Sequence, residues 1–221
     1  MKTTEGVGTA VPIYEDLLSR DRKWAMSQGS RHFEEKSAAQ DALGRIARRL
    51  DNLGIPYEIA GGMALFQHGF RRFTEDVVIL VSRDGLKAIH AHLEGLGYVP
   101  LFTGSKNLRD TEYGVRIEFL IAGEFPGDGK PKAVAFPEPE LARVMIGSIH
   151  YSSLPKLVEL KLASGMTGGI QRMKDLTDVV ELIKTLSLSV EFADQLNPYV
   201  RDKYFELWQG IRDSPVGPVE I

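Results

Sequence analysis

The chain has 221 residues, 43% hydrophobic and 26% charged, with 27 Lys plus Arg against 30 Asp plus Glu, a net charge of −3 and a pI near 6.0. That length can bury a full core for one generous domain, and the mild acidity argues against a nucleic-acid footprint built on overall charge while leaving room for a local basic patch. The absence of Cys excludes disulfides and thiolate metal sites, and with no signal-peptide core after Met1 and no apolar run near the roughly 18 residues of a span, the expectation is a cytoplasmic protein without membrane contact.

Residues 1–30 are mixed in character and read as a peripheral segment, with a short helix over 13–20. From 31 to 53, Ala42, Ile46, Leu50 and Leu53 form a helical stripe that Gly54 ends, with Pro56 just beyond. A short strand over 57–60 runs into Gly61-Gly62. Paired glycines open backbone conformations closed to other residues and leave N–H groups unobstructed beside a helix start, a favourable place for phosphate, although Gly-Gly is also common turn punctuation. A helix over 63–68 is closed by Gly69, and 76–81 reads as a strand. Its alternation puts Asp76, Val78 and Leu80 on one face and Val77, Ile79 and Val81 on the other. Asp76 is the one ligand-bearing side chain on its face.

Ser82 or Asp84 caps the next helix, which carries Leu86, Ile89, Leu93 and Leu96 at helical spacing and stops at Gly97. His90 and His92 sit two apart on it and face different directions, which argues against a shared metal. Strands are expected over 98–102 and 115–121, separated by a polar stretch with Lys106, Arg109, Asp110 and Glu112; in the second strand Arg116, Glu118 and Leu120 share a face. The loop over 123–139 contains Gly127-Asp128-Gly129-Lys130, but Pro131 stands where a phosphate loop needs Ser or Thr, so that motif is rejected. A hairpin over 144–151 turns near Gly147-Ser148. From Leu154 the chain reads as helical, first with Leu157, Leu160, Leu162 and Ala163 beside Glu159 and Lys161, then over 170–186 with Arg172, Lys174, Asp175 and Asp178, and last over 194–209, interrupted at Pro198. The expected fold class is α/β (α+β): a small mixed sheet flanked by helices over 31–153, and a helical part over 154–221 packed on it.

Taken together, Gly61-Gly62, the short helix after it, Arg72 with Thr74-Glu75-Asp76-Val77-Val78, Ile117-Glu118-Phe119-Leu120, Glu159-Leu160-Lys161-Leu162-Ala163 and the run from Arg172 through Asp175 to Asp178 resemble the polymerase-β-like nucleotidyltransferase superfamily. The pattern is similar in particular to the nucleotidyltransferase toxins of type IV abortive-infection toxin–antitoxin systems and their bacterial relatives, and it covers roughly residues 53–186. The resemblance implies transfer of a nucleoside monophosphate from an NTP to a hydroxyl of an RNA, a protein or a small molecule, with Mg²⁺ clamping the phosphates. It makes Asp76, Glu118 and Asp175 the catalytic set, Asp76 and Glu118 the metal ligands, Gly61, Gly62, Thr74, Lys161 and Arg172 the nucleotide-binding set, and an antitoxin-like protein a partner. The family pattern calls for two acids at alternate positions of one strand, and the second position here is Val78. One Mg²⁺ is therefore expected rather than two, with transfer impaired. Glu75 lies on the opposite strand face, and Asp110 or Glu112 of the preceding loop would have to lean in to replace the missing acid, which nothing in the sequence shows. The alternative is a catalytically inactive module that senses nucleotide or binds a protein partner.

Overall fold

The computed structural model describes residues 11–213; residues 1–10 of the expected peripheral segment and 214–221 of the expected helical part lie outside the described residues. The first half comprises α1 (Tyr14–Arg20), α2 (Arg22–Phe33), α3 (Ala38–Asn52), β1 (Tyr57–Ala60), α4 (Gly61–Gln67), β2 (Asp76–Val81) and α5 (Arg83–Leu93). Then follow β3 (Tyr98–Pro100), β4 (Leu108–Asp110), β5 (Arg116–Ile121), β6 (Arg143–Ile146), β7 (Ile149–Ser152), α6 (Leu154–Thr167), α7 (Met173–Leu186) and α8 (Pro198–Asp213). Short 3₁₀ turns at Ile170–Arg172 and Val190–Gln195 introduce the last two helices.

The strands form one seven-stranded mixed sheet in the order β3-β4-β5-β2-β1-β7-β6. At its centre β2 runs antiparallel to β1 and parallel to β5, and the β2–β5 register pairs Asp76 with Arg116 and Val78 with Glu118. Val77, Ile79 and Val81 of β2 and Ile117, Phe119 and Ile121 of β5 are buried on one face, the face on which α3 and α5 pack. On the other face Asp76, Val78, Arg116, Glu118 and Leu120 are only partly buried. A sheet filled with apolar side chains on one side and carrying charge on the other leaves its polar face for a site.

The helix expected over 31–53 is divided. Glu35 takes a left-handed φ of 59° and Ser37 caps α3 by accepting a hydrogen bond from Gln40 N, so the stripe of Ala42, Ile46 and Leu50 begins a fresh helix. Short β4 has no alternation of its own to announce it and exists because β3 and β5 pair with it. Pro198 opens α8 instead of interrupting it, as suits a residue without an N–H. In the last helix Tyr204 is fully buried, with its hydroxyl donating to Ser189 O at 2.9 Å. Near the chain start Tyr14 is equally buried, and Glu15 pairs with Arg109 at 2.8 Å, which fixes α1 against the β4–β5 region. Among the described residues no helix is long and apolar enough to cross a membrane.

One carboxyl lies deep in the sheet. Glu58 on β1 is fully buried, accepts from Ser152 Oγ at 2.7 Å, and leaves its second oxygen without a partner. Burial pushes its pKa up to about 7, with the Ser152 hydrogen bond, Lys156 and Arg143 opposing only in part. The folded state therefore keeps a proton that the unfolded chain has lost, so stability falls as pH rises from the ordinary value of 4.5 to about 7. In urea melts, Glu58→Gln is expected to gain up to about 3 kcal/mol over the wild type at pH 8 and to show little difference at pH 4.

Candidate functional site

A cleft of about 360 Å³ opens over the polar face of β2 and β5. Gly61, Gly62, Thr74, Asp76, Glu118, Lys161, Arg172 and Asp175 all line it, so the residues to which the resemblance gives catalytic, metal-binding or nucleotide-binding roles meet at one place. Leu120, Phe125, Phe136, Leu157 and Leu160 form its apolar part, and Lys106, Arg172 and Lys174 bring positive charge.

The glycine pair does its first work in packing. At Gly61, with φ of 61°, an added Cβ would stand 2.9 Å from Val78 Cγ2; at Gly62 it would stand 2.6 Å from Thr74 Oγ1. Any side chain at either position would push α4 off β2. Thr74, itself buried, donates to Asp76 Oδ1 at 2.8 Å, so the close approach at Gly62 also sets the direction of the Asp76 carboxylate. The connection that carries Arg72 and Thr74 is held from behind by His32 of α2, whose Nε2 lies 3.1 Å from Arg72 O. Burial lowers the His32 pKa, with the Arg72 carbonyl opposing.

The second oxygen of Asp76 and one oxygen of Glu118 converge on a single positive nitrogen. Arg116 Nη2 lies 3.4 Å from Asp76 Oδ2 and 3.2 Å from Glu118 Oε1, while its Nε is 3.6 Å from Glu15 Oε1 on α1. Burial raises the Glu118 pKa and nearby Asp76 adds to it, against the pull of Arg116, Arg172 and Lys106. Val78 offers no donor, and Asp110 and Glu112 do not lean in: both turn to Arg45 of α3, at 2.9 and 3.1 Å, so neither replaces the missing acid. Among the described residues no group of three or more His, Cys, Asp or Glu side chains is arranged to hold a metal. The donors present do not fit a two-ion centre, and the position shared by Asp76 and Glu118 is taken by a guanidinium.

On the helical side Lys161 of α6 is nearly buried, with Nζ 2.6 Å from Asp178 Oδ2 and 2.9 Å from Asp175 Oδ1, both on α7. Ser164 Oγ donates to Asp175 Oδ2 at 2.6 Å, and Arg72 Nε lies 3.0 Å from Asp178 Oδ1. The chain Arg72–Asp178–Lys161–Asp175–Ser164 thus ties the sheet connection to α6 and α7. Burial works to raise the Asp175 pKa, but Lys161, Ser164 and Arg172 overcome it and hold the carboxyl below its ordinary range. Lys161 is satisfied by two acids, so the charge that faces the open cleft comes from Arg172, Lys174 and Lys106.

No family model and no curated protein matches the chain. Among solved structures, the solution structure of the antibiotic-resistance factor ANT(2'')-Ia is similar over 76% of this chain and 94% of its own, at 15% identity and a TM-score of 0.50. The chain shares the fold of that protein. Also similar are the crystal structure of ANT(2'')-Ia with adenylyl-2''-tobramycin, over 78% and 95% of the chains at 13% identity and a TM-score of 0.47, and that of an antigenic nucleotidyltransferase-like protein from Paracoccidioides brasiliensis, over 78% and 91% at 16% identity and 0.46. Within this fold, three features in and around the cleft are not visible in the sequence motifs. Arg116 shared a strand face with Glu118 in the alternation, but its meeting with Asp76 depends on the β2–β5 register. Asp178 stands closer to Lys161 than Asp175 does, and one helical turn separates them. The Gly/Pro-rich loop, rejected as a phosphate loop, supplies Phe125, Pro126, Gly127 and Gly129 to the cleft wall because Gly127 packs on Ser164 and Thr167 of α6.

Lys161→Met leaves Asp178 with Arg72, and Asp175 with Ser164 and Arg172, as their remaining partners, and is expected to cost about 3 kcal/mol in urea melts at pH 7. In the wild type the Asp175 contribution is full above its ordinary value of 3.8 and is lost as pH falls below it, so the gap between the two proteins should narrow in acid. Gly62→Ala is expected to cost about 2 kcal/mol through overpacking against Thr74, read from the same melts.

Proposed function

We propose that the cleft binds an NTP and that the protein is a nucleotidyltransferase-type enzyme, passing the nucleoside monophosphate to a hydroxyl of an RNA, protein or small-molecule acceptor at a reduced rate. The observation that carries this reading is the convergence of Gly61, Gly62, Thr74, Asp76, Glu118, Lys161, Arg172 and Asp175, drawn from both halves of the chain, on one cleft of nucleotide size. In this reading the base lies against Leu120, Phe136, Leu157 and Leu160, and the phosphates lie toward the glycine pair, where Arg172, Lys174 and Lys106 supply charge.

Transfer requires the acceptor oxygen to attack the α-phosphorus while pyrophosphate leaves and the hydroxyl proton goes to a base. Glu118 is suited to take that proton, because it lines the cleft and burial raises its affinity for a proton. The cations around the phosphates offset charge on the departing pyrophosphate. Lys161, Asp175 and Asp178 hold the helical wall in place, so they act by position. A second reading, nucleotide binding without turnover, is favoured by Val78 at the second acid position and by the pairing of both remaining acids with Arg116.

Transfer of label from α-labelled NTPs to host RNA, protein and small-molecule fractions decides between them. The wild type is expected to label one fraction slowly, and Asp76→Ala to lower that rate at least about a hundredfold while remaining folded. Nucleotide binding with no labelled acceptor in any fraction would assign the second reading.

A further inference from the structure

Another cavity, of about 320 Å³, opens at the β3 edge of the sheet, on the α3 side and away from the cleft. Its walls are the second half of α3, the residues leading into β3 and those at the end of β4, and it shares no residue with the cleft. Arg45, Arg48 and Arg49 of α3 line it together with Asp110 and Glu112. Both acids are taken by Arg45, at 2.9 and 3.1 Å, and Asp110 also accepts from the backbone N–H groups of Glu112 and Tyr113. Arg48 and Arg49 are exposed and, among the described residues, make no hydrogen bond or ion pair.

Two such arginines on a helix surface would by themselves be a solvated face, and Arg49 in the last turn also answers the helix dipole. Tyr98 does not fit that account. It is 3% exposed, it lines the cavity, and its hydroxyl makes no hydrogen bond among the described residues. Nor is that hydroxyl sealed from solvent. The charges that act on it are Asp110, Arg45, Arg49 and Arg48, all of them walls of the cavity. A buried tyrosine normally finds a partner for its O–H, so this one holds its donor where the acceptor of a ligand would stand. Leu96, 61% exposed, adds an apolar wall.

We propose that this cavity is a second ligand site, separate from the cleft, that takes a small phosphate monoester: Arg48 and Arg49 hold the phosphate oxygens, the Tyr98 hydroxyl donates to one of them, and the organic part covers Leu96. A phosphate monoester carries nearly two negative charges at neutral pH, which matches the two unpaired arginines, and guanidinium and phosphate meet as forked donors and acceptors. The volume suits one phosphate with a ring-sized body. This site is independent of the nucleotidyltransferase reading and stands whether or not the cleft transfers nucleotide.

Amide nuclear magnetic resonance of the full chain, titrated in about 0.15 M salt with phenyl phosphate and separately with inorganic phosphate, tests it. Phenyl phosphate is expected to shift the amides of Gly97, Tyr98 and Thr111 with a dissociation constant on the order of 1 mM, and inorganic phosphate to shift the same amides about tenfold more weakly. Equal affinity for the two would overturn the ester assignment. The double variant Arg48→Gln/Arg49→Gln should weaken phenyl phosphate at least about tenfold. Tyr98→Phe should weaken it about fivefold and leave the urea midpoint unchanged, because the hydroxyl has no partner in the protein to lose. A lower midpoint for Tyr98→Phe would reveal such a partner and overturn the proposal. Unchanged affinity in either variant would do the same, as would shifts confined to Gly61 and Gly62 of the cleft, or no shift at all. Should Tyr98→Phe fail to fold, the arginine variant, altered only at exposed positions, decides the question.

Discussion

The backbone at Gly61 and Gly62 lies so close to β2 and the connection before it that a Cβ would meet Val78 or Thr74, respectively, at under 3 Å, and the rest of the cleft depends on that contact. It sets α4 against the sheet. It also holds Thr74 where its hydroxyl can fix one oxygen of Asp76, leaving the other free to face Arg116. The residue type most readily assigned to phosphate binding is thus required first by packing. The two roles agree, since a backbone stripped of side chains to admit β2 also leaves its N–H groups open to a ligand.

Charge is arranged around this frame in two separate clusters. On the sheet, Asp76 and Glu118 share Arg116, with Glu15 of α1 behind it. On the helices, Asp175 and Asp178 share Lys161, with Arg72 linking that cluster back to the sheet. The second cluster is the more buried, and its charges are nearly all spent on one another. That suits a packed junction between sheet and helices, where an unpaired charge would cost several kcal/mol. The first cluster is more open, and its two acids line the cleft. Val78 is consistent with this division: it packs against Gly61 and leaves the sheet cluster with an arginine as its cation.

Several of these relations were legible before any coordinates. The strand from Asp76 to Val81 follows from β-branched residues bounded by charge, and the helix from Leu154 from apolar spacing behind Pro155. The break between α2 and α3 was not, because the apolar stripe begins only at Ala42 and says nothing of the backbone at Glu35, which takes a left-handed conformation. Nor was β4, three residues long and defined only by its neighbours. The lone acids Asp110 and Glu112 could not be excluded from the cleft by sequence, since their partner Arg45 lies far back along the chain on α3.

Local sequence by itself determined the elements, the faces of each strand, the glycine pair, and the absence of a second acid at position 78, because those depend on neighbours a few residues apart. The meeting of Arg116 with Asp76, of Lys161 with Asp178, and of Glu15 with the sheet was decided only by tertiary structure. Each joins side chains on elements whose relative placement comes from strand order, register and helix packing, and a shift of one residue in the β2–β5 pairing would have left Arg116 opposite a different partner.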